Sequence, residues 1–219
     1  PINDTILSSK KESRIFLEKK FKINFSKPLI IFTYHPISSN KNIIEKDIKI
    51  NLEAINLLII KNNCQIIATY PNNDFGSEFI IKEINKFSLK NPKFFNVHKS
   101  LSSHYLHSIM QCAKLKNFSI MGNSSMGIKE AIVFKCPAVN IGSRQNGRLK
   151  PYNVIDVEVN KNKIVKAVRK ALFNIKFKKK ILKSSNPYFK KNTGINIVKI
   201  VSKISINKKL LEKKTIIKN

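Results

Sequence analysis

The chain has 219 residues, of which 42% are hydrophobic, and a formal net charge of +29 from 42 Lys and Arg against 13 Asp and Glu. This length fits one large domain with an ordinary packed core, or one domain with an extended tail. No apolar run approaches the roughly 18 residues of a membrane helix, and the first residues show no signal-peptide pattern, so no membrane partner is expected.

Residues 1–27 are predicted to be a lead-in segment with one helix. From residue 28, short apolar runs rich in β-formers alternate with helical patterns, as in a sheet of parallel strands buried on both faces. The predicted strands are 28–34, 65–70, 93–97, 118–121, 137–141 and 153–157.

The segments between the strands carry helical spacing of apolar residues. The predicted helices are 51–61, 78–87, 103–115, 127–134, 160–173 and a last one that starts near Thr193. Ser102 or Ser103 and Asn160 are the expected N-caps. Repeated strand-then-helix units predict the α/β class, with an open parallel sheet and right-handed crossovers over residues 28–205. A basic tail, 206–219, is expected to fray.

The cysteines Cys64, Cys112 and Cys136 are odd in number and show no CxxC spacing. This pattern argues against a disulfide framework or a zinc site and favours a reducing, cytoplasmic environment. No metal-ligand cluster is expected.

The charge of +29 admits a nucleic-acid partner. However, only four of the 42 basic residues are arginine, Trp is absent, and the Lys-rich stretches carry no known motif. Proteins that recognise nucleic acids use Arg for bidentate contacts and aromatic rings for stacking on bases. Compositional drift towards lysine on solvated helix faces is the favoured interpretation, and a nucleic-acid partner is disfavoured.

Residue types that are rare in this chain, such as His, Gly and Arg, come directly after the predicted strands. Ligands of open parallel sheets bind beyond the carboxyl ends of the strands. Those positions hold His35, Asn72, His98 with Lys99, the segment 122–125 and the segment 142–144. Five of the six glycines fall between residues 76 and 147. These features predict one binding rim along this edge of the sheet.

The segment "GNSSMGIKE" (122–130) has the chemistry of a phosphate cradle. Gly122 permits a sharp turn, Ser124 and Ser125 are small enough for backbone amides to approach an anion, and the following helix points its positive end there. Glu130, one turn on, could accept hydrogen bonds from two ribose hydroxyls. The alternative is a capped helix in which Glu130 is only a solvated surface charge.

Arg144 and Arg148 are two of the four arginines, and they lie in one short loop. Guanidinium groups bind phosphate oxygens bidentately, which lysine cannot do, so this loop is predicted to face an anion. A chance surface pair is the alternative. His35 could donate to a phosphate or shuttle a proton, although a lone histidine is more often structural. His98, His104 and His107 are expected to be structural or exposed.

Several segments, taken together, resemble the hydrolysing UDP-N-acetylglucosamine 2-epimerases of sialic and legionaminic acid synthesis. They are "TYHP" (33–36), "YPNNDFGS" (70–77), "GNSSMGIKEA" (122–131), "VNIGSRQNGR" (139–148) and "NPY" (186–188). The resemblance runs in order over residues 28 to about 205, and its most specific part is the pair of blocks between 122 and 148.

The resemblance implies a Rossmann-like domain, the C-terminal half of a two-domain fold of the glycosyltransferase-B type. It implies that Ser124 and Ser125 contact the diphosphate of a UDP-sugar and that Glu130 contacts the ribose. Arg144 and His35 would contact the phosphates, with His35 as the catalytic candidate. Asn72 would lie near the nucleotide, and we place Arg148 with the substrate-binding residues.

The reaction implied by the resemblance needs no cofactor. The family eliminates UDP from UDP-N-acetylglucosamine or a diacetamido analogue, and then hydrates the glycal-type intermediate to N-acetylmannosamine or a related 2-epimer. Its catalytic carboxylates lie in an N-terminal domain that nothing here matches. The start "PINDTI" resembles the end of the interdomain hinge, so residues 1–27 are expected to be a hinge remnant and the chain inactive alone.

Alternatives remain open. The chain could be a stand-alone nucleotide-sugar-binding module, half of a glycosyltransferase with the same two-domain fold, or, more remotely, a basic nucleic-acid-binding protein. The sequence does not decide between UDP and GDP or name the 2-acetamido sugar, and formation of a homo-oligomer is open.

Overall fold

The computed structural model describes residues 2–114, 116–207 and 211–212. Within these residues the elements are, in chain order, α1 (Ile2–Ser8), α2 (Arg14–Phe21), β1 (Leu29–Thr33), α3 (Lys41–Asn62), β2 (Gln65–Thr69), α4 (Ser77–Lys90), β3 (Phe95–His98), α5 (Ser103–Ala113), β4 (Phe118–Gly122), α6 (Met126–Lys129), β5 (Ala138–Ile141), β6 (Val154–Val157), α7 (Lys161–Phe173), α8 (Ile175–Lys183) and α9 (Thr193–Val201).

The chain divides into two compact units. Residues 9–188 hold the whole sheet and the helices from α2 to α8. Residues 1–8 and 189–219 make up the second unit, in which the backbone N–H of Thr193 donates to Asp4 Oδ2 at 3.0 Å. The predicted boundaries at residues 28 and 205 stay predictions. Most of the predicted basic tail, 206–219, lies outside the described residues.

The sheet is parallel throughout and has the strand order β3-β2-β1-β4-β5-β6. The chain winds from β1 outward through β2 to β3, and then restarts on the other side of β1 with β4. The loops after β1 and β4 therefore leave the sheet in opposite directions, and this reversal opens a crevice at the carboxyl ends of these two strands. The predicted α/β class and open parallel sheet are confirmed.

The strands β1, β2 and β4 are buried along their whole length, which explains why they appear in the sequence as continuous apolar runs. Because side chains alternate between the faces of a strand, Ile30 and Phe32 join a core cluster with Leu58 of α3 and Leu172 of α7. Ile31 is equally buried on the opposite face. Helices thus cover both faces of the sheet.

Side-chain caps set the start of several helices. Ser102 Oγ accepts the N–H of Tyr105 at 3.4 Å to begin α5, and Asn160 Oδ1 accepts the N–H of Lys163 at 3.1 Å to begin α7. Both caps confirm predictions. The helix predicted over 51–61 is longer in the structure, since α3 begins after a cap at Asn40.

Other helices differ from the sequence prediction. Residues 1–27 contain two helices, α1 and α2, where one was expected. The Lys-rich stretch 175–183 forms α8, because Phe177 and Ile181 lie one turn apart and are both buried.

The apolar stripe of α9 is exposed, with Ile197 and Ile200 both more than two-fifths accessible. None of the helices in the described ranges combines the length and apolar character that a bilayer-crossing segment needs.

Candidate functional site

A cleft of about 220 Å³ lies at the carboxyl ends of the strands. Residues that follow β1, β2, β3 and β4 all contribute to its wall, so it occupies the point where the strand order reverses. Among its lining residues are His35, Asn72, Lys99, Leu106, Ser124 and Met126. Three of the predicted site residues, His35, Asn72 and Ser124, are therefore neighbours in space although the sequence separates them widely.

His35 is held as a neutral hydrogen-bond donor. Its Nδ1 accepts the backbone N–H of Asn72 at 3.1 Å, so the proton of the neutral ring is on Nε2. Burial, and then the positive charge of Arg144, lowers the pKa of His35 to about 4, with Asp74 acting in the opposite direction. At neutral pH the ring is therefore uncharged, and its Nε2–H is available to an acceptor.

Asn123 fixes the position of His35. It is fully buried, its Oδ1 accepts the backbone N–H of His35 at 2.7 Å, and its Nδ2 donates to the His35 carbonyl at 2.8 Å. Its own carbonyl accepts Gln145 Nε2 at 2.7 Å and Arg144 Nη1 at 3.3 Å. One asparagine thus connects the loops after β1, β4 and β5, and the connection brings the Arg144 guanidinium beside the His35 ring.

Gly122 makes this connection sterically possible. Its φ is +132°, and a Cβ at this position would lie 1.9 Å from the backbone oxygen of Thr33. That oxygen also accepts the N–H of Asn123 at 3.2 Å. The close approach of β4 to the end of β1 therefore requires glycine.

Ser124 and Ser125 follow Asn123 and lead into α6. Ser124 Oγ accepts the N–H of Met126 at 3.4 Å. Among the described residues, no acceptor lies within hydrogen-bonding distance of the backbone N–H of Ser124 or Ser125. The two amides are therefore not used inside the described part of the fold, and the expectation that they bind an anion stays a prediction.

The helix predicted over 127–134 is wrong in length, because α6 ends at Lys129. Beyond it, the N–H groups of residues 133–135 each bond to the carbonyl three residues back, and Lys135 adopts a left-handed φ of 56° before Pro137 and β5. Burial of Ile132 and Phe134 favours this tight turn over a continuing helix. A helix of one turn has only a small dipole, so an anion here would be held by individual amides and by Arg144.

Glu130 is not a free surface charge. Its Oε2 lies 2.6 Å from Nε2 of His107, a residue of α5 that is only 2% exposed. The pair is beside the cleft rather than in its wall, since the N–H of Glu130 bonds to the carbonyl of Met126, which does line the cleft. The structure thus places Glu130 one turn from the site.

Arg148 lies in the same loop as Arg144, but its side chain makes no contact with the other predicted residues among those that the structure describes. It is exposed, and its guanidinium hydrogen-bonds to none of the described residues. The structure brings together His35, Asn72 and Ser124, with Arg144 adjoining through Asn123. Arg148 is linked to this group only by its backbone N–H, which donates to the carbonyl of Gln145 at 3.4 Å in the described part of the chain.

Sequence reasoning gave no individual role in the site to three residues that organise it: Gln145, His107 and Asn123, the last of which it placed on the rim only as part of the segment 122–125. Asn123 and Gln145 lie inside the blocks between 122 and 148 and could have been chosen as polar residues that flank glycine turns. His107 gave no signal, because its partner lies 23 residues away on another element.

Two further observations concern where the site lies and whether it could hold a metal ion. A larger groove, about 520 Å³, lies between α3 and α4, but its lining residues, such as Lys49 and Glu83, include no predicted site residue. In the described part of the chain, no three His, Cys, Asp or Glu side chains are grouped so that they could hold a metal ion.

Comparison with known proteins gives related sequences and folds. GDP/UDP-N,N'-diacetylbacillosamine 2-epimerase (hydrolyzing) of Campylobacter jejuni is 36% identical over 144 residues, which cover 66% of this chain and 36% of that protein. Polysialic acid biosynthesis protein P7 of Escherichia coli is 35% identical over 175 residues, covering 80% of this chain and 42% of that protein. The chain thus spans less than half the length of these two relatives.

A solved structure shows the same fold. The UDP-GlcNAc 2-epimerase of Methanocaldococcus jannaschii, in complex with UDP-GlcNAc and UDP, superimposes with a TM-score of 0.64 at 22% identity, over 92% of this chain and 51% of that chain. The family model described as UDP-N-acetylglucosamine 2-epimerase matches residues 1–202. Since this match takes in nearly the whole sequence, the chain belongs to the UDP-N-acetylglucosamine 2-epimerase family.

Proposed function

We propose that this chain is the nucleotide-holding half of a hydrolysing 2-epimerase that acts on a UDP-activated 2-acetamido sugar. The observation that supports this most is the convergence of His35, Asn72 and Ser124 on one cleft at the strand-order reversal, with Arg144 adjoining. Such crevices in open parallel sheets are where nucleotides bind.

The groups around the cleft suit a diphosphate leaving group. When UDP is eliminated from the sugar, negative charge grows on the oxygens of the diphosphate. The Arg144 guanidinium, the Nε2–H of neutral His35 and the free amides of Ser124 and Ser125 would stabilise that charge without having to reorganise. His35 is the catalytic candidate, since its N–H would touch the departing phosphate.

The sugar and the product are inferred from the relatives. One relative is named for diacetylbacillosamine and for hydrolysis, and another for polysialic acid biosynthesis. These names support a 2-acetamido sugar nucleotide as substrate, and N-acetylmannosamine or a related 2-epimer of sialic or legionaminic acid synthesis as product. The glycal-type intermediate would be hydrated at the same cleft.

Turnover is proposed to need a second domain. The two relatives are more than twice as long as the region that this chain matches. The sequence resemblance implies that their remaining part carries the catalytic carboxylates, and closure of the two domains would exclude water from the reaction. We expect residues 1–219 to bind UDP but not to release it from UDP-N-acetylglucosamine.

Calorimetric titration with UDP tests the proposal. Arg144→Ala should weaken UDP binding at least about tenfold, because a charge-assisted phosphate contact is lost. Arg169→Ala is the matched control, since Arg169 is an exposed arginine on α7. Equal UDP affinities for the wild type and Arg144→Ala, or no UDP binding at millimolar concentration, would refute the assignment.

A steric variant gives a second test. Ser125→Trp places an indole where the amides of residues 124 and 125 are free, and it should abolish UDP binding while the circular dichroism spectrum stays that of the wild type. UDP binding that survives both this change and Arg144→Ala would locate the nucleotide elsewhere.

A further inference from the structure

The His107–Glu130 pair is the most buried His–carboxylate contact that the structure shows in the described residues. Nε2 of His107 lies 2.6 Å from Oε2 of Glu130, and the two side chains are 2% and 21% exposed. The His107 ring is packed against Phe134 with the ring centroids 5.6 Å apart. Short contacts between an N–H and a carboxylate are among the strong hydrogen bonds of proteins.

A second pair on the same helix provides the contrast. His104 Nε2 lies 2.8 Å from Glu12 Oε1, but these side chains are 41% and 34% exposed. A contact that open to water contributes little. Burying an imidazole, however, costs free energy unless it is hydrogen-bonded, so the ring of His107 and the carboxylate of Glu130 hold each other in a defined orientation.

The pair lies next to the cleft, because α5, which carries His107, and α6, which directly precedes Glu130, both contribute residues to the cleft wall. Leu106, which precedes His107 on α5, lines the cleft, as does Met126, whose carbonyl accepts the N–H of Glu130. Oε2 of Glu130 is engaged by His107. Among the described residues, no hydrogen bond to Oε1 is present, and the side chain remains partly accessible.

We propose that His107 is a positioning residue that presents Glu130 to the ribose hydroxyls of the nucleotide and so determines the preference for ribose over 2′-deoxyribose. This inference rests on the proposed function, in which the cleft binds UDP. A free glutamate loses rotamer freedom when it binds, whereas a carboxylate already held by His107 has lost that freedom in advance. The two oxygens together offer about four acceptor sites, so both vicinal hydroxyls can be bound while His107 stays in place.

The test compares the affinity for UDP with that for 2′-deoxy-UDP, by calorimetry on the full chain. The wild type should prefer UDP about tenfold, the usual effect of one hydrogen bond to a charged group. His107→Leu should reduce this ratio to about threefold or less, whereas His107→Gln, which retains an N–H donor, should restore most of it. A general loss of stability would weaken both nucleotides equally and leave the ratio unchanged.

Two further variants isolate the route through Glu130. His104→Leu is the matched control, because it removes a His–Glu contact on the same helix and should leave the ratio at the wild-type value. The double change His107→Leu with Glu130→Gln should show the ratio of Glu130→Gln alone, since His107 acts only through Glu130. If His107→Leu fails to fold, His107→Met replaces it as the apolar variant.

The outcomes separate this inference from the proposed function. A wild-type ratio near one, or a ratio that His107→Leu and His107→Met leave intact, overturns the positioning role while UDP binding still stands. Failure of the wild type to bind either nucleotide overturns both. A ratio that falls in the apolar variants, returns in His107→Gln and is unaffected by His104→Leu supports the positioning role.

Discussion

The side-chain amide of Asn123 is hydrogen-bonded to both backbone polar groups of His35, 88 residues earlier in the chain. Through this contact the loop after β4 sets the position of the loop after β1, whose residue His35 lines the cleft. Its importance can be measured directly.

Asn123→Ala should lower the free energy of unfolding by roughly 2–4 kcal/mol, because the buried N–H and C=O of His35 lose their partners. Urea unfolding followed by circular dichroism measures this. Asn146→Ala, at an exposed position in the adjoining loop, should change the stability by less than about 0.5 kcal/mol. Similar small effects for both variants would contradict the role given to Asn123.

Gly122→Ala should cost about 3 kcal/mol or more, or prevent folding, since its Cβ would collide with the backbone oxygen of Thr33. Backbone atoms of a central strand cannot move away as a flexible side chain can. Gly194→Ala, in α9, is the control: nothing lies within 4 Å of its Cβ, and Ala favours a helix by up to about 1 kcal/mol. A soluble Gly122→Ala protein with wild-type stability would show that β1 and β4 approach less closely.

His35 should make stability depend on pH in acid. The pKa of His35 is lowered from 6.5 to about 4 in the folded chain. Between these two pH values the unfolded chain therefore binds a proton at His35 that the folded chain does not bind. Stability should therefore fall as the pH drops from about 6.5 to about 4, by up to roughly 3 kcal/mol from this residue. His35→Gln should remove that component, whereas His104→Gln, at a half-exposed position, should not. Parallel stability–pH curves for the wild type and His35→Gln would refute the prediction.

The net charge of +29 should give only non-specific binding to a DNA duplex. We expect duplex affinity to fall by several orders of magnitude between about 50 and 200 mM salt. The reason is that lysine–phosphate contacts derive their free energy from the release of counterions, which salt opposes. Arg144→Ala should leave duplex binding unchanged while UDP binding weakens. Fluorescence anisotropy with labelled DNA of two sequences measures this, and a strong preference for one sequence would favour a dedicated nucleic-acid site instead.

The local pattern of the sequence was sufficient where a structure depends on neighbouring residues. Short apolar runs predicted all six strands to within about two residues at each end, because parallel strands are buried on both faces. Asn160, and Ser102 as one of two candidates with Ser103, were predicted as caps because a cap bonds only two or three residues ahead. The glycines and arginines that follow the strands likewise predicted a binding rim at the carboxyl edge of the sheet, and this stays a prediction.

Only the tertiary structure decided the rest, since it depends on groups that are distant in sequence. α6 ends after one turn, and Ile132 and Phe134 are buried in the turns that follow it, although the local pattern favoured a longer helix. The strand order that opens the cleft depends on which strands pair, and no local pattern encodes pairing. The Asn123–His35 and His107–Glu130 contacts exist because folding buries these polar groups together, where each must find a partner.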